Sequence, residues 1–191
     1  MTEAKPTEGT SPTVPFSRVV LFWTIALLGA GFDLATKAYF FRLLGEPHAR
    51  APLVVVPNIL ELQTSYNPGA LWGFMRGVPH SSLIFAALSI VAAIGIWVWL
   101  FPLKAAADRR LTAALALIMA GALGNCYDRL VLGHVRDFVH FHVDPIGFDC
   151  AIFNFADNML VVGAVALILL ALKPEEKASQ PIEAAEPAAS A

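Results

Sequence analysis

The sequence predicts a mainly α, polytopic membrane protein with four transmembrane helices and short strands on one membrane surface. Of its 191 residues, 57% are hydrophobic and only 15% are charged, whereas soluble domains average about half apolar and a quarter charged. Four apolar stretches are each long enough to cross a hydrocarbon layer of about 30 Å, which takes roughly 20 helical residues. Four spans place certain ends of these stretches on the same side of the membrane, and basic residues gather at those ends.

The four spans are predicted at about 19–41, 81–101, 111–132 and 153–172. Basic residues precede the first span, lie between the second and third, and follow the fourth: Lys5, Arg18, Lys104, Arg109, Arg110, Lys173 and Lys177. The positive-inside rule then places both termini and the middle loop in the cytoplasm. We expect one membrane-embedded domain over residues 16–173. The tails, 1–15 and 174–191, hold too few apolar residues to form a packed core, and we expect both to be disordered and cytoplasmic.

Two longer loops remain for the outer side. The loop 42–80 contains a valine run and a half-alternating run, which predict short strands, and it reaches a turn signal at Asn67-Pro68-Gly69. The loop 133–152 mixes aromatic residues with histidines and acids, which indicates an interfacial segment. Within it, residues 144–149 are expected to form a turn whose acids face solvent.

Composition excludes several classes of partner. A net charge of -2 provides no basic field for nucleic acid. Cys126 and Cys150 are too few for a disulfide framework and lack zinc-site spacing, so they are packing residues, either free or bonded to each other. Imidazoles and carboxylates in the second outer loop are of metal-ligand type, at His134, Asp137, His140, His142 and Asp144. Their spacing matches no helical His-x-x-x-His pattern, and we expect no metal or other cofactor.

The first span contains Asp33 and Lys37, one helical turn apart on one face. An ionisable residue inside a span costs about 2.5–3.5 kcal/mol on insertion and usually faces the bundle interior. The pair either locks helix packing or takes part directly in catalysis, and the sequence leaves both roles open.

The end of the third span carries a polar face made of Asn125, Asp128 and Arg129, at spacings of three and four residues. Small residues just before it permit close helix approach. Since arginine binds carboxylates bidentately, Arg129 is expected to keep its neighbour Asp128 ionised as a structural anchor.

A pair of aspartates is the candidate for chemistry. Asp157 lies in the first turn of the fourth span, where backbone N–H groups stabilise an anion, and Asp137 lies twenty residues upstream, beyond a loop that can return to the same surface. Two close carboxylates share one proton, so that one acts as base and the other as acid. A water molecule between them could hydrolyse an amide without a metal or covalent intermediate.

Two other classes of protein also place ionisable groups or small residues in membrane spans. A small transporter or proton channel would also hold charges inside its spans, but at several depths, whereas here they gather toward the outer face. A non-catalytic assembly subunit explains the small residues of the third span but not a second buried carboxylate.

The chain resembles the lipoprotein signal peptidases, also called signal peptidase II. The resemblance rests on five stretches in the family order: Asp33 to Lys37, Asn67 to Ala70, Gly121 to Arg129, Gly133 to Phe138, and Phe153 to Asp157. They cover nearly the whole chain between the tails. A departure follows Gly69, where the family's common Ala-Ala-Phe-Ser is Ala-Leu-Trp-Gly in this chain, which alters the expected groove shape.

The resemblance implies a membrane aspartyl endopeptidase with a small extracytoplasmic β-cradle in the bacterial cytoplasmic (inner) membrane. It implies Asp137 and Asp157 as the catalytic dyad. Residues expected to bind substrate or support the site are Asp33, Lys37, Asn67, Gly69, Ala70, Asn125, Asp128, Arg129, Asn154 and Ala156. The implied substrate is a diacylglyceryl-modified prolipoprotein, cut before its lipidated cysteine. Membrane lipid is the other expected partner, and the enzyme is expected to act as a monomer.

Overall fold

A computed structural model describes residues 13–69, 75 and 78–172. It contains four α-helices: α1 (Phe16–Leu44), α2 (Ser81–Leu100), α3 (Arg109–Leu132) and α4 (Phe155–Ala171). The helices run alternately up and down, and a small antiparallel sheet covers one end of the bundle. The prediction of a mainly helical membrane protein with a small sheet is confirmed. The predicted tails fall almost entirely outside the described residues.

Helix lengths suit a membrane. Within the described residues, α1, α2 and α3 are long and apolar enough to cross a bilayer, and α4 is an apolar helix of 17 residues. At 1.5 Å per residue, α4 extends about 25 Å. The first helix has 29 residues and is longer than predicted at both ends.

The third helix is the centre of the bundle. We compared the 18 most apolar consecutive residues of α1, α2 and α3. The buried share is 61% in α3, against 22% in α1 and 17% in α2. Its start is fixed by Asp108, whose side chain accepts hydrogen bonds from the N–H groups of Arg110 and Leu111. It ends at Gly133, with φ of 79°, a left-handed conformation that glycine adopts without strain.

Apolar packing is concentrated away from the sheet, at the end of the bundle where α1 and α3 begin. The buried cluster there comprises Phe22, Ala26, Ile96, Leu100, Ala106, Leu115, Ala116 and Met119. Toward the sheet the interior becomes polar. This gradient leaves the apolar cluster to hold the helices together while the other end carries ionisable groups.

The sheet has four antiparallel strands in the order β1 (Leu53–Val56), β2 (Leu60–Asn67), β3 (Val135–Val143) and β4 (Phe148–Asp149). The strands predicted in the first outer loop are present. The second outer loop, predicted as an interfacial segment, instead supplies the nine-residue β3 and the short β4. Its valine, phenylalanine and histidine residues suit a pleated, half-buried surface. A bulge in β2 between Leu62 and Ser65 brings Ser65 opposite Asp137.

Candidate active site

Asp137 lies on β3 and is almost fully enclosed, with 2% of its surface exposed. Both carboxylate oxygens accept hydrogen bonds from side-chain amides. Asn154 Nδ2 donates to Oδ1 at 2.6 Å and Asn67 Nδ2 donates to Oδ2 at 3.1 Å. The carboxyl group is therefore held in a fixed orientation from two different elements.

Asp157 lies in the first turn of α4 and belongs to a capping box. Its Oδ2 accepts the backbone N–H of Asn154 at 3.1 Å, while its own N–H donates to Asn154 Oδ1 at 3.0 Å. Its other oxygen accepts from Asn125 Nδ2 at 2.8 Å. The same contacts that start the helix thus fix the direction of this carboxylate.

Asn154 connects the two aspartates. Its side chain is fully buried. The amide oxygen accepts the backbone N–H of Asp157, and the amide nitrogen donates to the carboxylate of Asp137. The nitrogen also lies 3.2 Å from Asn125 Oδ1. The structure thus brings the two predicted acids together around one asparagine, at the junction of β3 and α4.

The surroundings of Asp137 favour its protonated form. Burial is the main cause, and the nearby negative charge of Asp157 acts in the same direction, so the pKa of Asp137 is raised to about 7. The amides of Asn154 and Asn67 and the cation of Lys37 act in the opposite direction but are outweighed.

Beneath the aspartates runs a row of alternating charges: Asp33, Lys37, Asp128 and Arg136. Lys37 Nζ lies 2.7 Å from Asp33 and 3.5 Å from Asp128, and all three side chains are fully buried. Arg136 continues the row with a 2.7 Å ion pair to Asp128. Because charges of both signs alternate, each ion is compensated inside the bundle.

Lys37 links this row to the aspartates, since it donates a 2.9 Å hydrogen bond to Asn125, which in turn binds Asp157. Asp33 Oδ1 accepts the backbone N–H of Ala156 at 2.8 Å and so ties α1 to the start of α4. In this structure Asp33 and Lys37 contact the groups that hold Asp157. These contacts favour a packing and positioning role over a direct one.

The predicted pairing of Arg129 with Asp128 is wrong. Asp128 is bound by Arg136, through Nε at 3.2 Å, Nη2 at 2.7 Å and the backbone N–H at 3.0 Å. Consecutive helical residues point in different directions and cannot face each other. Arg129 instead donates to the carbonyl oxygen of Gly69 at 3.1 Å.

Arg129 thereby fixes the loop that presents Asn67. The Gly69 N–H also donates to Asn67 Oδ1 at 3.0 Å, and Ser81 Oγ donates to the carbonyl of Pro68 at 2.8 Å. These contacts leave Asn67 Nδ2 directed at Asp137. Ala70 and the Leu-Trp-Gly segment after it lie outside the described residues.

An apolar cavity of about 410 Å³ lies among α2, α3 and α4. Its walls include Leu88, Ile118 and Leu160, and its polar end is formed by Asn125, Arg129 and Asp157. An apolar chain could therefore lie between the helices with its polar end at Asp157.

Sequence reasoning missed Arg136 as a member of the site. Its position next to Asp137 on a strand was a usable signal, but its partner Asp128 belongs to a different element. The two cysteines, whose state was left open, are both free, with Cys126 buried.

Three comparisons bear on this site. The family model described as signal peptidase (SPase) II matches residues 25–173. The lipoprotein signal peptidase of Pseudomonas putida is 37% identical, over 87% of this chain and 94% of that protein, and that of Pseudomonas aeruginosa is 38% identical, over 81% and 88%. A solved structure described as a bacterial membrane enzyme has a TM-score of 0.72 and 28% identity, covering 90% of this chain and 97% of that one.

Proposed function

The chain belongs to the signal peptidase II family of membrane aspartyl proteases, and from that premise we propose that it cleaves diacylglyceryl-modified prolipoproteins before the lipidated cysteine. One observation carries the proposal. Two aspartates, Asp137 and Asp157, converge on Asn154, and Asp157 lies at the polar end of an apolar cavity. A lipidated peptide has the matching chemistry, since its acyl chains are apolar and its scissile amide is polar.

The two aspartates take different roles in the proposed reaction. Asp137 is the acid, because burial and the neighbouring charge raise its pKa to about 7. Asp157 is the base, because its two carboxylate oxygens accept hydrogen bonds from the Asn125 amide and the Asn154 backbone N–H. Two carboxyl groups thus take different roles in the reaction because their surroundings differ.

The reaction follows from these roles. Asp157 takes a proton from water, and the resulting hydroxide attacks the carbonyl carbon of the scissile amide. Asp137 donates a hydrogen bond and then its proton to the carbonyl oxygen. Asp157 then gives its new proton to the cysteine nitrogen as the C–N bond breaks, and Asp137 takes a proton back from a hydroxyl of the intermediate. The products are a carboxylic acid and an amine, and both aspartates return to their starting states. Neither a metal nor a covalent enzyme intermediate takes part.

Substrate is proposed to enter sideways from the bilayer. Its acyl chains would occupy the cavity among α2, α3 and α4, and the sheet would act as a cradle over the peptide. Asn67 and Gly69 would shape the site from the first outer loop, which Arg129 of α3 holds in place. We further propose that the protein acts as a monomer in the bacterial inner membrane, with both termini in the cytoplasm and the sheet on the outer side.

The decisive experiment measures cleavage of a lipidated precursor by the purified protein in detergent. Asp137→Asn and Asp157→Asn should each lower kcat/KM by about 10²–10⁴-fold or more, the contribution of a positioned acid or base. Asp108→Asn is the matched control. It makes the same chemical change at the far end of the bundle, and asparagine caps a helix as well as aspartate.

Thermal denaturation of all three variants separates lost chemistry from lost folding. Cleavage that persists at the wild-type rate in either dyad variant would overturn the dyad. Wild-type protein that cleaves an unlipidated precursor equally well would overturn the substrate.

A further inference from the structure

A second cluster of ionisable side chains lies on the paired strands β2 and β3, away from the aspartates. Glu61 on β2 is directly opposite His140 on β3, and His142 lies two residues further along the strand, so its side chain points to the same face. The two imidazole rings stack with centroids 4.9 Å apart. A nitrogen of each ring and an oxygen of Glu61 all lie within 4.8 Å of one another.

Each imidazole is oriented by a further carboxylate. Asp144 Oδ1 lies 2.7 Å from His142 Nδ1, and Asp149 Oδ1 lies 2.7 Å from His140 Nε2. Because an ionised carboxylate only accepts hydrogen bonds, these two nitrogens carry protons. The opposite nitrogens, Nε2 of His142 and Nδ1 of His140, are left with lone pairs. Metal-ligating histidines are held in this way by outer carboxylates.

The second ring nitrogen of His142 lacks a hydrogen-bond partner. Nε2 is buried without a hydrogen-bond partner, and the residue is only 9% exposed. It faces Glu61 Oε1 at 3.8 Å, which is too long for a direct hydrogen bond. Glu61 Oε2 lies 4.0 Å from His140 Nδ1. One ligand atom from each of the three side chains thus lies around one position.

We propose that Glu61, His140 and His142 bind a divalent transition metal ion of the zinc class. Imidazole with carboxylate suits zinc, whereas magnesium and calcium prefer oxygen ligands alone. Metal–ligand bonds of about 2.0–2.2 Å place tetrahedral ligand atoms roughly 3.4 Å apart, so the side chains need only a small contraction. A water molecule would fill the fourth position.

The metal-free state also shows what must move. The Gln63 amide nitrogen lies 2.9 Å from His140 Nδ1 and has to turn away when the ion binds. His140 and His142 follow Asp137 by three and five residues, about 10 and 16 Å along an extended strand. The proposed ion is therefore separate from the aspartates, and its effect would be to join β2 to β3. The spacing of His140 and His142 did not predict this site, because Glu61 comes from a distant strand.

The test uses the full chain in detergent, purified without a polyhistidine tag and freed of metal by a chelator. Zn²⁺ is titrated by calorimetry and Co²⁺ by visible absorbance. One equivalent should bind, with the absorbance of tetrahedral Co²⁺. Glu61→Gln and His142→Ala should each weaken binding at least about tenfold, and Asp144→Asn by about 10–100-fold, as for other outer partners.

His48→Asn is the matched control. It removes an exposed imidazole from a neighbouring loop at a left-handed position, φ 65°, which asparagine tolerates. Its affinity should equal that of the wild-type protein. Zn²⁺ should raise the melting temperature of the wild-type protein and of this control but not of Glu61→Gln.

Two results would overturn the proposal. The first is wild-type protein that gives neither heat nor a tetrahedral Co²⁺ spectrum with metal in excess. The second is binding that His48→Asn weakens as much as Glu61→Gln, which would identify scattered surface histidines as the ligands. If His142→Ala does not fold, Glu61→Gln decides, because it keeps the shape of the side chain.

Discussion

At the scale of single residues, the site depends on asparagines as much as on aspartates. The side-chain nitrogen of Asn154 donates to the carboxylate of Asp137, and its oxygen accepts the backbone N–H of Asp157. Asn67 and Asn125 each add one donor to one carboxylate. Aspartate at such a position would add a third negative charge and remove the donor. Neutral amides therefore position two acids without adding a further charge.

The raised pKa of Asp137 predicts the pH dependence of cleavage. The proposed acid must hold its proton, and it loses that proton as pH rises through about 7. The value of kcat/KM should therefore fall from pH 6 to pH 9, by about a hundredfold at two units above the pKa. The measurement is initial rates on a lipidated precursor, with circular dichroism at each pH to verify folding. A flat profile over this range would exclude Asp137 as the acid.

The same shift predicts an effect on stability. An acid with a raised pKa binds more protons in the folded state, so folding is favoured below about pH 4 and loses that advantage as pH rises to about 7. At about 1.4 kcal/mol per pKa unit, the loss amounts to about 4 kcal/mol. Wild-type protein should therefore melt at a lower temperature at pH 8 than at pH 5.

Asp137→Asn should have a smaller difference in melting temperature between pH 5 and pH 8, because no proton is gained or lost at residue 137. Asp108→Asn should keep the full wild-type difference. Equal differences in all three proteins would mean that Asp137 does not titrate in this range.

At the scale of elements, α3 and α4 pack through small residues. A Cβ atom at Gly121 would lie 2.4 Å from the carbonyl oxygen of Ala156, and one at Gly163 would lie 2.8 Å from that of Ala114. Both contacts involve backbone atoms, which cannot turn aside. The helices therefore approach more closely than any side chain at these positions would allow, as in other membrane bundles.

Replacing these glycines should separate the two helices. Gly121→Ala and Gly163→Ala are expected to destabilise the protein by about 1–3 kcal/mol, the usual cost of overpacking, and Gly121→Ala should also lower activity because Ala156 adjoins Asp157. Gly95→Ala is the control, since a Cβ there meets nothing within 4 Å and alanine favours a helix. Thermal melts in detergent test this expected order of stability. A Gly95→Ala variant less stable than the other two would contradict it.

The elements also show what sequence could predict. Four long apolar stretches placed the helices, because apolar composition is a local property of the chain. The strand β3 was missed, since its residues are half polar and its pairing with β2 depends on residues about seventy to eighty positions away. The partner of Asp128 was predicted wrongly because Arg136 lies on this missed strand, beyond the end of α3. Local patterns could not say that Arg136 returns to this helix.

At the scale of the whole molecule, the ionisable groups are unevenly distributed. The buried charges lie near the sheet, while the opposite end of the bundle is packed with apolar side chains. The basic residues Lys104, Arg109 and Arg110 lie beside that apolar end. A proton channel would need buried polar groups along its depth, so this asymmetry agrees with the enzyme family and with a site open at one surface.

The proposed orientation can be measured by cysteine labelling. In a background with Cys126→Ser and Cys150→Ser, Ile146→Cys, at an exposed turn beside the sheet, should react with an impermeant maleimide in intact spheroplasts. Ala107→Cys, in the exposed loop between α2 and α3, should react only after permeabilisation, since positive loops remain in the cytoplasm. The reverse labelling would place the sheet inside the cell.

The row from Asp33 to Arg136 also constrains biogenesis. The ribosome makes the first two charges together, and they can enter the lipid as a neutral pair. Asp128 is made much later, and its partner Arg136 lies on β3, beyond the end of α3, and is made after it. Until then the insertion machinery must shelter an uncompensated carboxylate. A truncation before β3 would thus leave a defective intermediate for quality-control proteases, however well its helices were made.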